Sequence, residues 1–273
     1  MSAPADSDAR DYDSMYGEFD SPLMRRLRRD AYGEDVGQHS WVTADELRGD
    51  VRRLRLTSTS RLLDLGCGAC GPLTFVLRSV GCPGTGVERS GVALAAGRAR
   101  AAELGVDHLL ALHEADLDAP IPLPSGSFEA VMALDVVLHV RDRGALFGEV
   151  ARTLARGGRF LFTDAGVVTG AVSDDEIRRR SAHGHTQFVA PGFNERLLAR
   201  SGLQVLETEN RTASVLTHAT GRLAARLAHR EALERLEGEA GFERQQQYLE
   251  TVVEISRRGA VSRHMILAEA PRA

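Results

Sequence analysis

From Arg61 onward, apolar runs of strand length alternate with stretches of helical character, the pattern of βαβ units building a parallel sheet. The first strand is predicted from Arg61 to Leu65. A glycine-rich loop follows, and Pro72 then takes a first-turn helix position, with Leu73, Phe75, Val76 and Leu77 carrying the helix on. The second strand runs through Gly86, Val87 and Glu88. Ser90 is a predicted N-cap, and the alanine-rich segment to Leu104 is a strong helix former closed by Gly105. Further strands are predicted at Leu109 to His113, Ala130 to Asp135 and Arg159 to Asp164, with a helix from about Arg143 to Leu154 and a turn at Gly157 and Gly158. Beyond them the pattern gives a polar loop from Val167 to Pro191, a helix around Glu195 to Ser201, and strands at Leu203 to Glu209 and His264 to Glu269.

This layout predicts an α/β fold: a Rossmann-like, seven-stranded, mostly parallel sheet with helices on both faces. Two additions lie outside the repeating unit, an N-terminal helical cap over residues 1–57 and a helical insertion over 214–258, leaving 58–213 and 259–273 as the core. The insertion shows Leu223, Leu227, Leu233, Leu236, Tyr248, Leu249 and Val252 among charges, an amphipathic face suited to a lid or a homodimer contact. In open α/β sheets the ligand sits at the carboxyl ends of the strands, so additions covering that edge act as a lid.

Composition narrows the chemistry. Among 273 residues no lysine occurs, so all 34 basic residues are arginine, which excludes a Walker-type phosphate loop and a Schiff-base lysine. A high-GC genome accounts for that bias. The cluster Arg25, Arg26, Arg28 and Arg29 is offset by Asp20, Asp30, Glu34 and Asp35, and the net charge is −4, so no nucleic-acid partner is expected. The first twenty residues are polar and acidic, unlike a secretory signal, and no run reaches membrane-spanning length, so the expectation is a soluble, cytoplasmic protein without a membrane partner. Cys67, Cys70 and Cys82 are too few for a disulfide framework, and the C-x-x-C they include reads as small residues lining a loop.

Gly66, Gly68 and Gly71 fit G-x-G-x-x-G between a strand and a helix, with Glu88 about twenty residues on. A nicotinamide dehydrogenase satisfies the same features, since glycines admit close backbone approach and the acid accepts ribose hydroxyls. Asp64 separates the readings. A carboxylate at the mouth of the loop suits a ligand carrying an ammonium and a sulfonium and repels a pyrophosphate.

The block Arg61-Leu62-Leu63-Asp64-Leu65-Gly66-Cys67-Gly68 resembles the first motif of the class I S-adenosylmethionine-dependent methyltransferases. Further stations follow in order: Glu88, Asp116 with Leu117, Ser127-Phe128-Glu129-Ala130-Val131 leading into Leu134-Asp135-Val136-Val137-Leu138-His139, and Arg152-Thr153-Leu154-Ala155-Arg156-Gly157-Gly158, where Arg156 replaces the usual proline. The segment from Tyr32 to Trp41 is similar to one in bacterial small-molecule methyltransferases of the glycine-sarcosine and natural-product branch. The resemblance implies S-adenosylmethionine as cofactor, contacted by Asp64, Gly66, Gly68, Glu88, Arg89, Asp116, Leu117 and Asp135, and by Gln38, His39, Ser40 and Trp41 over its methionine half. Trp41 has a second reading, as an anchor of the N-terminal helix in the core.

The activity implied is methyl transfer to oxygen or nitrogen of a small-molecule acceptor in specialised metabolism. His139 is the candidate base, Asp164 the group that orients its imidazole, and Tyr16 with Tyr12 the roof of the reaction site. The competing reading has His139 capping a helix and Asp164 bonding a backbone amide. His183 and His185 form an H-x-H, but only acids from Ser173-Asp174-Asp175-Glu176 stand near, so acceptor recognition is expected there and no metal. The alternatives are carbon methylation of an activated aromatic ring, a nicotinamide dehydrogenase, a non-catalytic protein that keeps the cofactor as a structural ligand, and a methyltransferase acting on RNA or protein.

Overall fold

The computed structural model describes Asp13 and residues 16–181 and 184–272. Strand β1 (Leu62–Leu65) is wholly buried and central, paired in parallel with β2 (Gly84–Glu88) and β4 (Phe128–Leu134). Strands β3 (Leu110–Glu114) and β5 (Leu154–Val168) extend the parallel sheet on either side. β7 (Val261–Glu269) runs antiparallel between β5 and β6 (Gln204–Asn210), giving the order β3-β2-β1-β4-β5-β7-β6. The seven-stranded, mostly parallel sheet is thus as the sequence predicts.

Because successive strand residues point to opposite faces, each strand feeds two cores. Leu62, Met132 and Leu161 pack with helices α2 (Ala44–Arg53), α3 (Gly71–Val80) and α4 (Gly91–Glu103). Leu63, Val131, Phe160 and Phe162 pack on the other face with α5 (Arg143–Thr153) and α7 (Phe193–Arg200). Ser90 caps α4 as expected, its hydroxyl accepting from the Ala93 amide at 3.1 Å.

The segment expected to be loop from Val167 to Pro191 contains a helix, α6 (Asp174–Arg180). Ser173 and Glu176 form a capping box, and three acids in the first turn face three arginines in the last, so capping and dipole together support seven residues with little apolar content. Between β6 and β7 the chain forms α8 (Thr212–Ala228), α9 (Arg230–Glu237) and α10 (Glu239–Arg257). Helix α1 (Pro22–Tyr32) lies on α8 so closely that a Cβ at Gly221 would overlap the Ala31 carbonyl. No helix among the described residues is long and apolar enough to cross a membrane.

Candidate functional site

A cavity of about 830 Å³ opens at the carboxyl ends of β1, β2 and β4 and continues beneath α1, α8, α9 and α10. The glycine loop after β1 is one side of it. Gly66 and Gly68 have φ of +67° and +52°, and a Cβ on Gly66 would lie 2.6 Å from both Val136 methyl carbons. Only glycine satisfies both the backbone and the space. Gly71 has a different reason to be glycine. The backbone of Val36 and Gly37 rests on it, which seats the N-terminal segment over the loop.

Asp64 ends up 3% exposed at this edge and accepts no hydrogen bond among the described residues. Burial, with the Glu88 charge adding to it, holds its pKa well above the ordinary carboxylate range. Glu88 accepts from the Gly68 amide at 3.1 Å with one oxygen and from the Arg89 and Ser90 amides at 2.8 and 3.0 Å with the other, so it is fixed at the loop. Arg89, Asp116 and Leu117 line the same side, and Asp116 is turned by the Asp118 amide at 2.9 Å.

The Gln38–Trp41 segment meets the cavity in four different ways. Gln38 is spent locally, its amide bridging the Val36 N–H and the Val42 carbonyl at 3.0 and 3.3 Å. His39 packs its ring against Tyr16 and Phe19, with Tyr16 standing over Gly68. The Ser40 hydroxyl is buried without a hydrogen-bond partner among the described residues. Trp41 lines the cavity and packs with Val215, Leu249 and Val252, so its core contacts are with the helices between β6 and β7 and not with the N-terminal helix. Its amide donates to Asp135 at 2.8 Å.

Asp135, at φ +58° after β4, spends its second oxygen on Arg263 at 2.8 Å. Burial pushes its pKa up, but the Arg263 guanidinium outweighs that and holds it below the ordinary value. Both oxygens are therefore committed to the frame, and its link to a ligand runs through the Trp41 backbone.

His139 closes a short 3-10 turn after β4 and lines the cavity. Its Nδ1 lies 2.8 Å from the His185 carbonyl, so Nδ1 carries the proton and Nε2 is the acceptor nitrogen. Burial, aided by the nearby Arg180 charge, lowers its pKa to about 4.

Asp164 does not orient that imidazole. It is fully buried, away from the cavity lining, and its oxygens take Arg143 at 2.5 Å, the Asn194 amide at 2.8 Å and the Gly166 N–H at 2.8 Å. A buried carboxylate needs such partners, and the guanidinium of α5 outcompetes a neutral ring for it. Arg143 also donates to the Gln187 carbonyl at 2.6 Å, so the pair positions the strand of chain that brings the His185 carbonyl to His139. Tyr12 and His183 lie outside the described residues. Among the described residues no group of three or more His, Cys, Asp or Glu can hold a metal ion.

Sequence reasoning missed Arg143, Asn194, Arg180, Arg222 and Tyr32. Arg180 ends a run of three arginines that reads as a solvated face, and only the packing of α6 beside α10 brings it inward, to the Tyr248 hydroxyl at 3.0 Å.

A family model described as "Methyltransferase domain" matches residues 63–162, the stretch that carries the glycine loop, Glu88, Asp116 and His139. Residues 63–162 thus match a methyltransferase domain. The chain is 29% identical over 199 residues to the glycine/sarcosine/dimethylglycine N-methyltransferase of Actinopolyspora halophila, covering 72% of this chain and 34% of the relative. The chain spans less than half the length of that and two other curated relatives it matches. Its fold is shared with a putative sarcosine dimethylglycine methyltransferase from Galdieria sulphuraria, at TM-score 0.76 and 19% identity over 84% of each chain. It is shared as well with geranyl diphosphate C-methyltransferase from Streptomyces coelicolor A3(2), at TM-score 0.72 and 20% identity over 98% of this chain and 99% of that one. The residues present fit S-adenosylmethionine, the cofactor that the sequence motifs lead one to expect. The unpartnered Asp64 carboxyl and Ser40 hydroxyl are the buried polar groups that a ligand with an ammonium would complete.

Proposed function

We propose that this chain passes the methyl group of S-adenosylmethionine to an oxygen or nitrogen of a small-molecule acceptor in specialised metabolism. The observation that carries the reading is one continuous cavity lined by Asp64, Glu88 and Asp116 at the sheet edge and by His139, continuing under the helices. We assign Asp64 to the cofactor's ammonium, Glu88 to its ribose hydroxyls, Asp116 and Leu117 to its adenine, and Gly66, Gly68, His39 and Ser40 to the backbone of its methionine half. Residues 1–57 act as the cap over it, and 214–258 as the lid over the acceptor.

When bound, the cofactor supplies an electrophilic methyl group on sulfur. The chain supplies alignment and exclusion of water. His139 accepts the acceptor's O–H or N–H at Nε2 and thereby aims the attacking lone pair. With a pKa near 4 it is a weak base, but the acceptor's proton becomes strongly acidic only as its atom gains the methyl group, and a neutral imidazole then suffices to take it. Tyr16, over Gly68 and against His39, closes the cofactor side from solvent.

Calorimetric titration with S-adenosylmethionine, S-adenosylhomocysteine and NAD under matched conditions tests the reading. Binding of the first two is expected, followed by methyl transfer in a mass-spectrometric acceptor screen. Binding of NAD alone overturns it.

A further inference from the structure

Five arginines among the described residues are deeply buried: Arg28, Arg143, Arg180, Arg211 and Arg263. Four of them meet carboxylates, Arg28 with Asp20 and Asp35, Arg143 with Asp164, Arg211 with Asp50, and Arg263 with Asp135 and Glu46. Arg180 is the exception. It is 5% exposed, lines the cavity, and among the described residues has only the Tyr248 hydroxyl and the Ala165 carbonyl as hydrogen-bond partners. A guanidinium cannot shed its proton to escape burial, so an unpaired one is a standing electrostatic cost.

A second cation stands beside it. Arg222 of α8 lines the same cavity, with its guanidinium carbon 5.2 Å from the Trp41 ring and 5.8 Å from the Tyr32 ring, and no carboxylate within ion-pair distance among the described residues. The Arg180 guanidinium carbon is 6.0 Å from the same Trp41 ring. Two guanidiniums thus converge on one indole, in a cavity that will also receive a sulfonium. Leu27, Leu233 and Leu249 supply apolar lining to the same cavity.

Resting on the methyltransferase reading above, we propose that the acceptor carries an oxyanion, a carboxylate or phosphate, bound by Arg180 and Arg222 beside Trp41, with an apolar body against the leucines. The bidentate donor geometry of guanidinium matches either anion. An amine acceptor held by cation–π contact is disfavoured, because the rings of Trp41, Tyr32 and Tyr248 already carry guanidiniums. The anion also offsets the repulsion between the two arginines and the cofactor's positive charge.

Trp41 is the only tryptophan in the chain, so its emission reports on this point alone. The protein, and its R222M and R180M variants, are first titrated calorimetrically with S-adenosylhomocysteine, a step whose failure removes the methyltransferase reading and not the anion site. Each is then titrated with benzoate, phenyl phosphate, benzamide and benzylamine while Trp41 fluorescence is followed. Saturable responses to the anions are expected, the tighter of the two naming the head group, with affinity falling by at least about tenfold in each variant. Benzamide and benzylamine should give none. The proposal is overturned by no saturable response to either anion, by benzylamine binding as well as benzoate, or by unchanged anion affinity in R222M, which decides alone if R180M does not fold.

Discussion

On the sheet side of the cavity, Asp64, Glu88 and Asp116 follow one another along the chain at successive strand ends, while on the helical side Tyr32, Trp41, Arg180, Arg222 and Tyr248 come from five separate segments. Among the described residues, the sheet side presents carboxylates, with Asp64 accepting no hydrogen bond; the helical side presents guanidiniums, with Arg180 and Arg222 lacking carboxylates. One side takes its geometry from backbone, through a glycine loop that tolerates no Cβ. The other takes it from long side chains that converge from separate elements and stack on aromatic rings. A fixed cofactor suits the first construction, and an acceptor that differs among relatives suits the second, since side chains on an insertion change without disturbing the sheet.

The largest effect is expected at the buried pair that holds the His185 segment against His139. Arg143→Met would leave Asp164 fully buried without its cation, and breaking such a pair costs about 3–5 kcal/mol. Urea denaturation should read that loss. A variant as stable as the parent would show that the segment carrying the His185 carbonyl is held by packing alone.

Acid should act on the two sides with different readouts. His139 and His218 both have folded pKa values of about 4, set first by burial, against about 6.5 in an unfolded chain. Between those values the unfolded state binds more protons, so their contribution is complete above pH 6.5 and is lost as pH falls towards 4, on the order of 3 kcal/mol for each. Asp64 is displaced the other way. Its charged form is disfavoured in the free protein and is favoured by a ligand's ammonium, so S-adenosylhomocysteine affinity should rise with pH through the Asp64 titration. Urea melts at pH 7 and 4.5 and calorimetry at pH 5 and 8 separate the two. Ligand affinity that rises in acid would place the ammonium elsewhere.

His139→Ala tests whether the sides act independently. Turnover should fall about 100-fold, the usual scale for a positioned proton acceptor, with cofactor Kd within a few-fold of the parent. Equal losses in turnover and cofactor affinity would mean that His139 holds the cofactor side together.

The two constructions also explain what could be read in advance. Glycines with φ above zero, N-caps such as Ser90 and strand-end acids are local features, and each left its mark within a few residues of sequence. Asp164 misled because its position at the end of β5 is legible while its partner is not: Arg143 and Asn194 lie on α5 and α7, and nothing local pairs them with it. Helix α6 has almost no apolar periodicity to mark it in the sequence, although Ser173 and Glu176 carry its capping box. Arg180 was invisible for the same reason. A run of charge looks solvated until the fold folds one member inward.

The smallest effect tests the sheet side at its most exposed point. Asp116 is turned towards its own loop by the Asp118 amide and stands at the rim of the cavity. A single hydrogen bond to adenine from such a position nets roughly 1 kcal/mol, because water competes for both partners. Asp116→Ala should therefore weaken S-adenosylhomocysteine binding by only about fivefold, roughly the same net energy as that one bond, and leave benzoate affinity at Trp41 unchanged. Calorimetry reads the first and fluorescence the second. A fall in both would mean that the rim loop orders the whole cavity, and that the division between a backbone-built side and a side-chain-built side does not hold.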